Sequence, residues 1–185
     1  MTRRPTPELV ANMSDFPESL PGVRDATETD LPAIVAIYNA TIPGGMVTAD
    51  TDPVSVASRL PWFRSHTPDR RPCWVAEDSA GIVYAWLSFS DFHPRPAYHP
   101  TAEISVYVAE THRRRGLADR LLRQAIARAP AVGVKSLVGL IWAHNEPSLR
   151  LFAKHDFAQW GHLPRVALLH GTERDLVIVG RRTAP

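Results

Sequence analysis

Residues 106–118 carry the side chains whose types and spacing best suit chemistry. Residues 106–108 (VYV) are typical of a strand, and the basic turn 113–116 (RRRG) follows and opens a helix. Such a turn directs backbone N–H groups and the positive end of the helix dipole at one point. Arginines add charge-assisted hydrogen bonds, and Gly116 lets a ligand approach the backbone closely. The segment therefore predicts an anion site suited to a pyrophosphate.

Taken alone, the basic turn has two other interpretations. It is also typical of a solvated surface turn, and an arginine run can contact nucleic acid. Two known phosphate motifs are absent, since neither the GxxxxGK[ST] spacing nor the GxGxxG spacing occurs at this turn. The site is therefore neither a Walker loop nor a dinucleotide fingerprint.

Other reactive chemistry finds little support. No HxxxH or HExxH spacing occurs, so we expect no metal site. The single cysteine, Cys73, excludes an internal disulfide and is expected to be a small buried hydrophobe. No Ser or Cys lies in a nucleophile-elbow pattern, so a covalent acyl-enzyme is not expected.

Two motifs give the chain a family resemblance. Arg113-x-x-Gly116-x-Ala118 matches the [QR]-x-x-G-x-[GA] pyrophosphate motif of the GNAT superfamily of acyl-CoA-dependent N-acyltransferases. Residues 145–157 match the family element N-x-x-[SA]-x-x-x-[YHF]-x-x-x-G-F, with Asp156 where glycine is usual. Residues 23–27 also resemble the family's first strand and helix start. The resemblance covers about residues 22 to 182 and favours pyrophosphate binding over the two alternatives.

Within this superfamily, the chain is most similar to the phosphinothricin acetyltransferase group. Four segments carry this likeness, and the block from Arg95 to Val108 is the most specific. They are residues 37–39 (IYN), 95–98 (RPAY), 101–108 (TAEISVYV) and 161–165 (GHLPR) followed by His170-Gly171.

The resemblance implies acetyl-CoA as cosubstrate and direct attack of an amine in a ternary complex. An alkyl ammonium, with a pKa of roughly 10, must first lose a proton. Glu103 matches the group's catalytic glutamate and is assigned as general base, and the Val108 backbone N–H is assigned as the oxyanion donor. The implied cofactor-binding residues are Tyr107, Val108, Arg113, Arg114, Arg115, Gly116, Leu117, Ala118, Asn145 and Ser148.

Phe152 departs from the family, because many relatives have Tyr or His there to protonate the leaving thiolate. Phenylalanine donates no proton, so Tyr107 or His144 serves, or the thiolate leaves unassisted. Each assigned residue also has a purely structural interpretation. Asn145 is suited to cap the helix that follows it, Glu103 to face solvent from its strand, and Phe152 to pack in the core.

The acceptor is expected to be an amino acid or an analogue of one. Arg95 is the candidate for its carboxylate, and Tyr98, Trp86 and Phe92 are candidates for the pocket wall. The group's tryptophan before the last strand is replaced by residues 173–175 (ERD), so phosphinothricin itself is in doubt. A protein or peptide N-acetyltransferase and a non-catalytic acyl-CoA-binding module stay open as alternatives.

Length and composition fit one globular domain. The chain has 185 residues, 44% apolar and 22% charged, with a net charge of +2. We expect a single α/β domain over residues 22–185, with a mixed, mostly antiparallel sheet flanked by helices on both faces, after a flexible tail over residues 1–21. Thr29 is expected to cap the first helix, and one of two final strands is expected near residues 165–170.

Partners and location follow from the same features. No apolar run approaches the roughly 20 residues that a membrane span needs, and residues 1–16 hold no apolar stretch like that of a secretory signal. We therefore expect a cytoplasmic enzyme that binds a small-molecule amine, neither nucleic acid nor membrane. A homodimer is plausible because relatives are often dimers.

Overall fold

A computed structural model describes residues 22–183. The predicted tail, residues 1–21, lies outside the described residues. The strands are β1 Val23–Asp25, β2 Cys73–Glu77, β3 Val83–Asp91, β4 Thr101–Val108, β5 Ser136–Trp142, β6 Ala158–Leu169 and β7 Thr172–Arg182. The α-helices are α1 Leu31–Asn39, α2 Val56–Arg64, α3 Leu117–Arg128 and α4 Glu146–Lys154.

The strands form one seven-stranded sheet in the order β1-β2-β3-β4-β5-β7-β6. Neighbouring strands run antiparallel except β4 and β5, which are parallel. Pairing of β4 with β5 covers only Thr101–Glu103 against Ser136–Val138, so the two strands separate beyond Glu103. The sheet confirms the predicted fold class, and this gap between β4 and β5 is its feature of greatest functional interest.

Helices cover both faces of the central strands, so β2, β3 and β5 are mostly buried, whereas the edge strand β6 is mostly exposed. Helices α3 and α4 pack on one face, where Leu121, Leu122 and Phe152 join the larger hydrophobic cluster. Helices α1 and α2 pack on the other face, where Ile34 and Phe63 join a second cluster. Residues that alternate along one strand divide between the clusters, as expected for a period of two.

The first helix is capped differently from the expectation. Thr27, rather than Thr29, precedes the helical turn, and its backbone N–H and hydroxyl donate to Asp30 at 2.7 and 2.9 Å. Arg24 pairs with the same carboxylate at 2.7 Å. Arg24 holds the pKa of Asp30 down, to about 2. Thr27 therefore caps the short helical turn Glu28–Asp30, and Asp30 holds the N-cap position of α1, so Thr29 caps neither.

Strand β6 begins at Ala158, earlier than the predicted start near residue 165. Pro164 interrupts the strand pattern, and the register against β7 shifts between Leu163 and Ala167. Proline is tolerated here because β6 is an edge strand and the shift removes the need for its missing N–H. No helix of the described part of the chain is both long and apolar enough to cross a membrane.

Candidate functional site

Three adjoining cavities follow the gap between β4 and β5. The first, here the α1–α2 cavity, has a volume of about 450 Å³ and lies between helices α1 and α2 and the sheet. The second, the α3 cleft, has a volume of about 580 Å³ and lies at the start of α3. The third, the junction, measures about 50 Å³. Tyr107 and Val47 line all three, so the cavities adjoin at these residues along the gap and are together called the path.

The floor of the α1–α2 cavity consists of two paired strands. Three residues of β3 face three residues of β4 in register, and all six line the cavity. The pairs are Trp86 with Tyr107, Ser88 with Ser105, and Ser90 with Glu103. Because alternate residues of a strand share a face, this spacing places one carboxyl and three hydroxyls beside two aromatic rings.

Glu103 lies at the last position where β4 still pairs with β5. It faces the α1–α2 cavity and is half-buried. Burial raises the pKa of its carboxyl above the ordinary value, because desolvation disfavours the charged form. A carboxyl whose pKa is raised accepts a proton more readily than an ordinary carboxylate does.

The roof and side of the α1–α2 cavity come from α1, α2 and the segment between them. Tyr38, Thr48, Arg59 and Trp62 all line it. Arg59 pairs with Asp50 at 3.0 Å. These residues place a positive charge in a cavity whose floor carries a carboxyl.

The α3 cleft is built on the predicted basic turn. Gly116 has φ of 73° and precedes Leu117, the first residue of α3, in a left-handed conformation that favours glycine. No atom lies within 4 Å of the position that a Cβ would take there, so the backbone is open to a ligand. Arg113 and Arg114 line the cleft with the start of α3. A helix N-terminus, an exposed backbone and two arginines fit the pyrophosphate of acetyl-CoA.

Almost all predicted cofactor residues border this cleft, and Arg115 is the exception. Those that do are Tyr107, Val108, Arg113, Arg114, Gly116, Leu117, Ala118, Asn145 and Ser148. The exposed Arg115 guanidinium instead donates to the Thr111 carbonyl at 3.4 Å. Arg115 therefore does not line the cleft, although it follows Arg113 and Arg114 directly in the sequence.

The Val108 backbone faces the gap. Ala109, directly after β4, donates its N–H to the Tyr84 carbonyl of β3 at 2.8 Å, which marks this pair as a hydrogen-bonded position of the ladder. Antiparallel neighbours alternate between bonded and non-bonded pairs, which makes Val108 and Ala85 a non-bonded pair. The Val108 N–H and C=O therefore point toward the side from which β5 has departed. The Arg113 Nε donates to this Val108 carbonyl at 3.4 Å.

Asn145 is buried, and its side chain makes two structural hydrogen bonds. Its Oδ1 accepts the Ser148 N–H at 3.2 Å, which caps α4, and its Nδ2 donates to the Met46 carbonyl at 2.7 Å. Trp142 Nε1 donates to the Thr48 carbonyl at 3.2 Å. The segment before α2 is thus fixed across the end of β5, where its Val47 lines all three cavities.

Tyr107 lies at the centre of the path. Its ring stacks on Trp86 at 4.3 Å between centroids and contacts Tyr38 at 5.3 Å. Burial raises its pKa, so the hydroxyl stays protonated. Phe152 also lines the junction, with its ring 4.9 Å from that of Phe157 in the core. The predicted core role of Phe152 is confirmed.

Three of the four substrate-binding candidates lie elsewhere, and the exposed Phe92 is one of them, since it lines none of the three cavities. Trp86 lines the α1–α2 cavity as predicted, but Arg95 and Tyr98 lie exposed on a short helical turn and line none of the three cavities. Tyr98 contacts Phe92 and His93 instead. The loop between β3 and β4 folds away from α1 and α2, so nearness in sequence to Glu103 did not place these side chains beside it.

His144 is occupied by a structural contact. Its Nε2 lies 2.9 Å from the Gly45 carbonyl, which requires a proton on that nitrogen. His144 lines none of the three cavities. Of the two alternatives for protonating the thiolate, only Tyr107 borders the path.

The sequence interpretation missed Arg59. It precedes Trp62 by three residues, a spacing that places both on one face of α2. The shared helix face was the one sequence feature that could have pointed to Arg59. The sequence did not show which part of the sheet that face would cover. Among residues 22–183, no group of three or more His, Cys, Asp or Glu side chains is arranged to hold a metal ion.

Comparison with known proteins agrees with this geometry. The sequence profile described as "Acetyltransferase (GNAT) family" matches residues 33–157. A Bacillus subtilis (strain 168) protein named "Putative phosphinothricin acetyltransferase YwnH" is 50% identical over 159 residues, which cover 86% of this chain and 97% of that protein. An L-methionine sulfoximine/L-methionine sulfone acetyltransferase of Pseudomonas paraeruginosa is 35% identical, over 85% of this chain and 91% of that protein.

A solved structure shows the same fold with acetyl-CoA. The GNAT superfamily phosphinothricin acetyltransferase of Sinorhizobium meliloti in complex with acetyl-CoA matches with a TM-score of 0.81 and 28% identity, covering 86% of each chain. The sheet, the pyrophosphate turn and these relatives agree. The chain therefore belongs to the GNAT family of acetyltransferases and uses acetyl-CoA as its cosubstrate.

Proposed function

We propose that this enzyme acetylates the α-amino group of an amino acid or amino-acid analogue with a polar side chain, by direct transfer from acetyl-CoA. The observation that carries the proposal is that Tyr107 lines both the α1–α2 cavity and the α3 cleft, so the two cavities adjoin at this residue. Acetyl-CoA enters from the cleft and the amine from the cavity. We place the reaction in the cytoplasm, and a homodimer stays a prediction.

Glu103 removes the proton that blocks attack. The acceptor arrives as an ammonium, and a carboxylate in the α1–α2 cavity takes one proton from it, directly or through a water beside Ser90 or Ser105. The free amine nitrogen then bonds to the thioester carbonyl carbon. The carbon–sulfur bond breaks, and the electron pair leaves with the sulfur of coenzyme A. The attacking nitrogen still carries one proton more than the amide product, and this proton passes to the released thiolate or to solvent.

The carbonyl oxygen gains negative charge during attack, and the Val108 N–H is the donor suited to it. Its direction toward the gap between β4 and β5 supports this role. A fixed backbone donor needs no rearrangement at the moment of reaction. Arg113 supports the donor by holding the Val108 carbonyl of the same residue.

The leaving thiolate meets Tyr107 at the junction. A thiol has a pKa near 8.5, well below that of a buried tyrosine, so full proton transfer from Tyr107 is unfavourable. A hydrogen bond from the neutral hydroxyl still stabilises the thiolate as it departs. This role compensates for Phe152, which carries no proton donor.

The acceptor class rests on the cavity and on the relatives. The cavity floor carries the hydroxyls of Ser88, Ser90 and Ser105 beside the Glu103 carboxyl. A few placed polar groups in a pocket fix the orientation of a ligand, so a polar ligand is favoured in this cavity. Relatives that act on methionine sulfoximine or methionine sulfone supply the matching class, an amino acid with sulfur-bound oxygens.

The test is thiol release from acetyl-CoA over a panel of amines. The panel contains phosphinothricin, methionine sulfoximine, methionine sulfone, the standard amino acids, polyamines, aminoglycosides and short peptides. Glu103→Gln is measured beside Glu173→Gln, the same change at an exposed hairpin position. We expect turnover on a carboxylate-bearing amine, reduced roughly 100- to 10,000-fold in Glu103→Gln and unchanged in Glu173→Gln.

Other results would redirect the proposal. Turnover that survives Glu103→Gln keeps the enzyme class and removes Glu103 as the base. Turnover on peptides alone favours a protein acceptor. Tight acetyl-CoA binding without turnover on any amine favours a non-catalytic acyl-CoA-binding module, with Phe152 as the first residue to suspect.

A further inference from the structure

Arg59 is the one basic side chain of the α1–α2 cavity among the residues found to line it. It projects from α2 and is only partly exposed, with 27% of its side chain accessible. Its charge therefore lies in the same cavity as the Glu103 carboxyl. A cavity with one guanidinium and one proton acceptor matches the two charged ends of a zwitterionic amino acid.

The guanidinium is held in place by several contacts. Its carbon lies 4.5 Å from the Tyr38 ring centroid and 5.7 Å from that of Trp62, which are cation–π distances. Its Nη2 donates to Asp50 at 3.0 Å, and the Tyr38 hydroxyl donates to the same carboxylate at 2.6 Å. Tyr38 also shares a short hydrogen bond with Thr48.

These contacts leave most of the guanidinium available. Arginine has five N–H donors, and among residues 22–183 Asp50 is the only side chain with which Arg59 makes an ion pair. Aromatic rings fix the plane of the guanidinium without using its donors. A fixed planar fork with open donors suits a carboxylate better than a mobile lysine would.

We propose that Arg59 is the specificity-determining residue of the acceptor site, where its guanidinium binds the α-carboxylate of the amino acid while the ammonium faces Glu103. Asp50 and Tyr38 act as positioning residues that set the orientation of the guanidinium. The inference rests on the proposed acetylation of an amino acid and assigns the group that recognises it.

Arg59 replaces Arg95 in this role. Arg95 belongs to an exposed turn and lines none of the three cavities, whereas Arg59 lies on a helix that forms the cavity wall. A carboxylate gains most from an arginine that is already desolvated and oriented. An exposed arginine would have to lose solvent and side-chain freedom on binding.

The experiment compares two amines that differ in the carboxylate alone. Methionine sulfone and its decarboxylated counterpart, 3-(methylsulfonyl)propylamine, are assayed by thiol release with wild type, Arg59→Met, Arg59→Lys and Arg95→Met. The ratio of kcat/KM for the two amines is compared between variants, so their different amine pKa values cancel. Calorimetric binding of both amines in the presence of coenzyme A gives a readout that needs no turnover.

We expect Arg59→Met to lower kcat/KM for methionine sulfone by roughly 10- to 150-fold, the range expected for a hydrogen bond to a charged group. The loss should fall mainly on KM, with little effect on the decarboxylated amine. Arg59→Lys should recover part of the preference because it keeps the charge without the fork. Arg95→Met should keep the wild-type preference.

Three results would overturn the assignment. Equal losses on both amines in Arg59→Met would mean that Arg59 supports the cavity wall only. A preference lost in Arg95→Met and kept in Arg59→Met would return the carboxylate to Arg95. A wild type that does not prefer the acid in either kinetics or binding would leave Arg59 nothing to recognise. Arg59-dependent binding of methionine sulfone without transfer would instead contradict the proposed function and leave the carboxylate site standing.

Discussion

At the scale of single residues, Glu103 combines two opposing demands. Its carboxyl is buried enough to raise its pKa, which improves it as a base and makes its ionised form costly to the fold. Its neighbours across the floor, Ser90 and Ser105, supply hydroxyls but no positive charge. Burial at the edge of the gap therefore sets the protonation behaviour of this side chain.

Glu103→Gln is expected to lower activity while its effect on the melting temperature depends on pH. Because the folded-state pKa is raised, the stabilising contribution of Glu103 is present below its unfolded pKa and is lost as pH rises through the folded pKa. The glutamine variant should thus match or exceed the melting temperature of wild type at pH 8, with no such gain at pH 4. Thermal melts at both pH values measure this effect.

The rate of transfer should show the same ionisation. The kcat/KM of wild type should rise with pH along an acid limb that lies above the ordinary range of a carboxyl, and Glu103→Gln should lack this limb. Two results would contradict the assignment. Glu103→Gln could keep the acid limb, or its melting temperature relative to that of wild type could be lower at pH 8 than at pH 4.

At the scale of elements, the turn before α3 combines a strained backbone with an open surface. Gly116 and Gly133 flank α3 and the short turn after it, with φ of 73° and 72°. A Cβ would meet no atom within 4 Å at either position. Only Gly116 borders the α3 cleft, so the two glycines share a conformation and differ in their relation to the ligand.

Gly116→Ala and Gly133→Ala should therefore separate strain from binding. Each should lower the free energy of unfolding by about 1 kcal/mol, the cost of a left-handed alanine. Only Gly116→Ala should also raise KM for acetyl-CoA, by roughly tenfold or about 1.4 kcal/mol, because a methyl group blocks approach to the backbone. Denaturant unfolding and initial rates measure the two effects. Equal KM changes in both variants would exclude a direct contact at Gly116.

At the scale of the whole molecule, the gap between β4 and β5 connects the two sides of the sheet. The segment before α2 is tied to Trp142, His144 and Asn145 at the end of β5, so both cavities share one wall. Both substrates can therefore be held together. Cys73, the single cysteine, is buried and lines none of the three cavities.

Steady-state kinetics should reflect this arrangement. Direct transfer predicts that double-reciprocal plots for acetyl-CoA at several amine concentrations intersect, because both substrates must be bound before the acetyl group moves. The intact mass of the protein after incubation with acetyl-CoA alone should be unchanged. Parallel lines together with a mass increase of one acetyl group would instead demonstrate a covalent acyl-enzyme.

The amino-acid sequence predicted the basic turn before α3 from a local pattern, and its resemblance to the GNAT superfamily predicted the fold class and a role for Glu103. A strand followed by a basic glycine turn and an amphipathic helix is encoded within about 20 consecutive residues. The long-range contacts were decided by the tertiary structure alone. Arg59 and Glu103 lie far apart in the chain and share a cavity because α2 packs on α1 and its Trp62 contacts Trp86 of β3. Arg95, close to Glu103 in sequence, lies exposed on its loop. Hydrophobic packing of the helices on the sheet is non-local, so it placed Arg59 rather than Arg95 at the cavity.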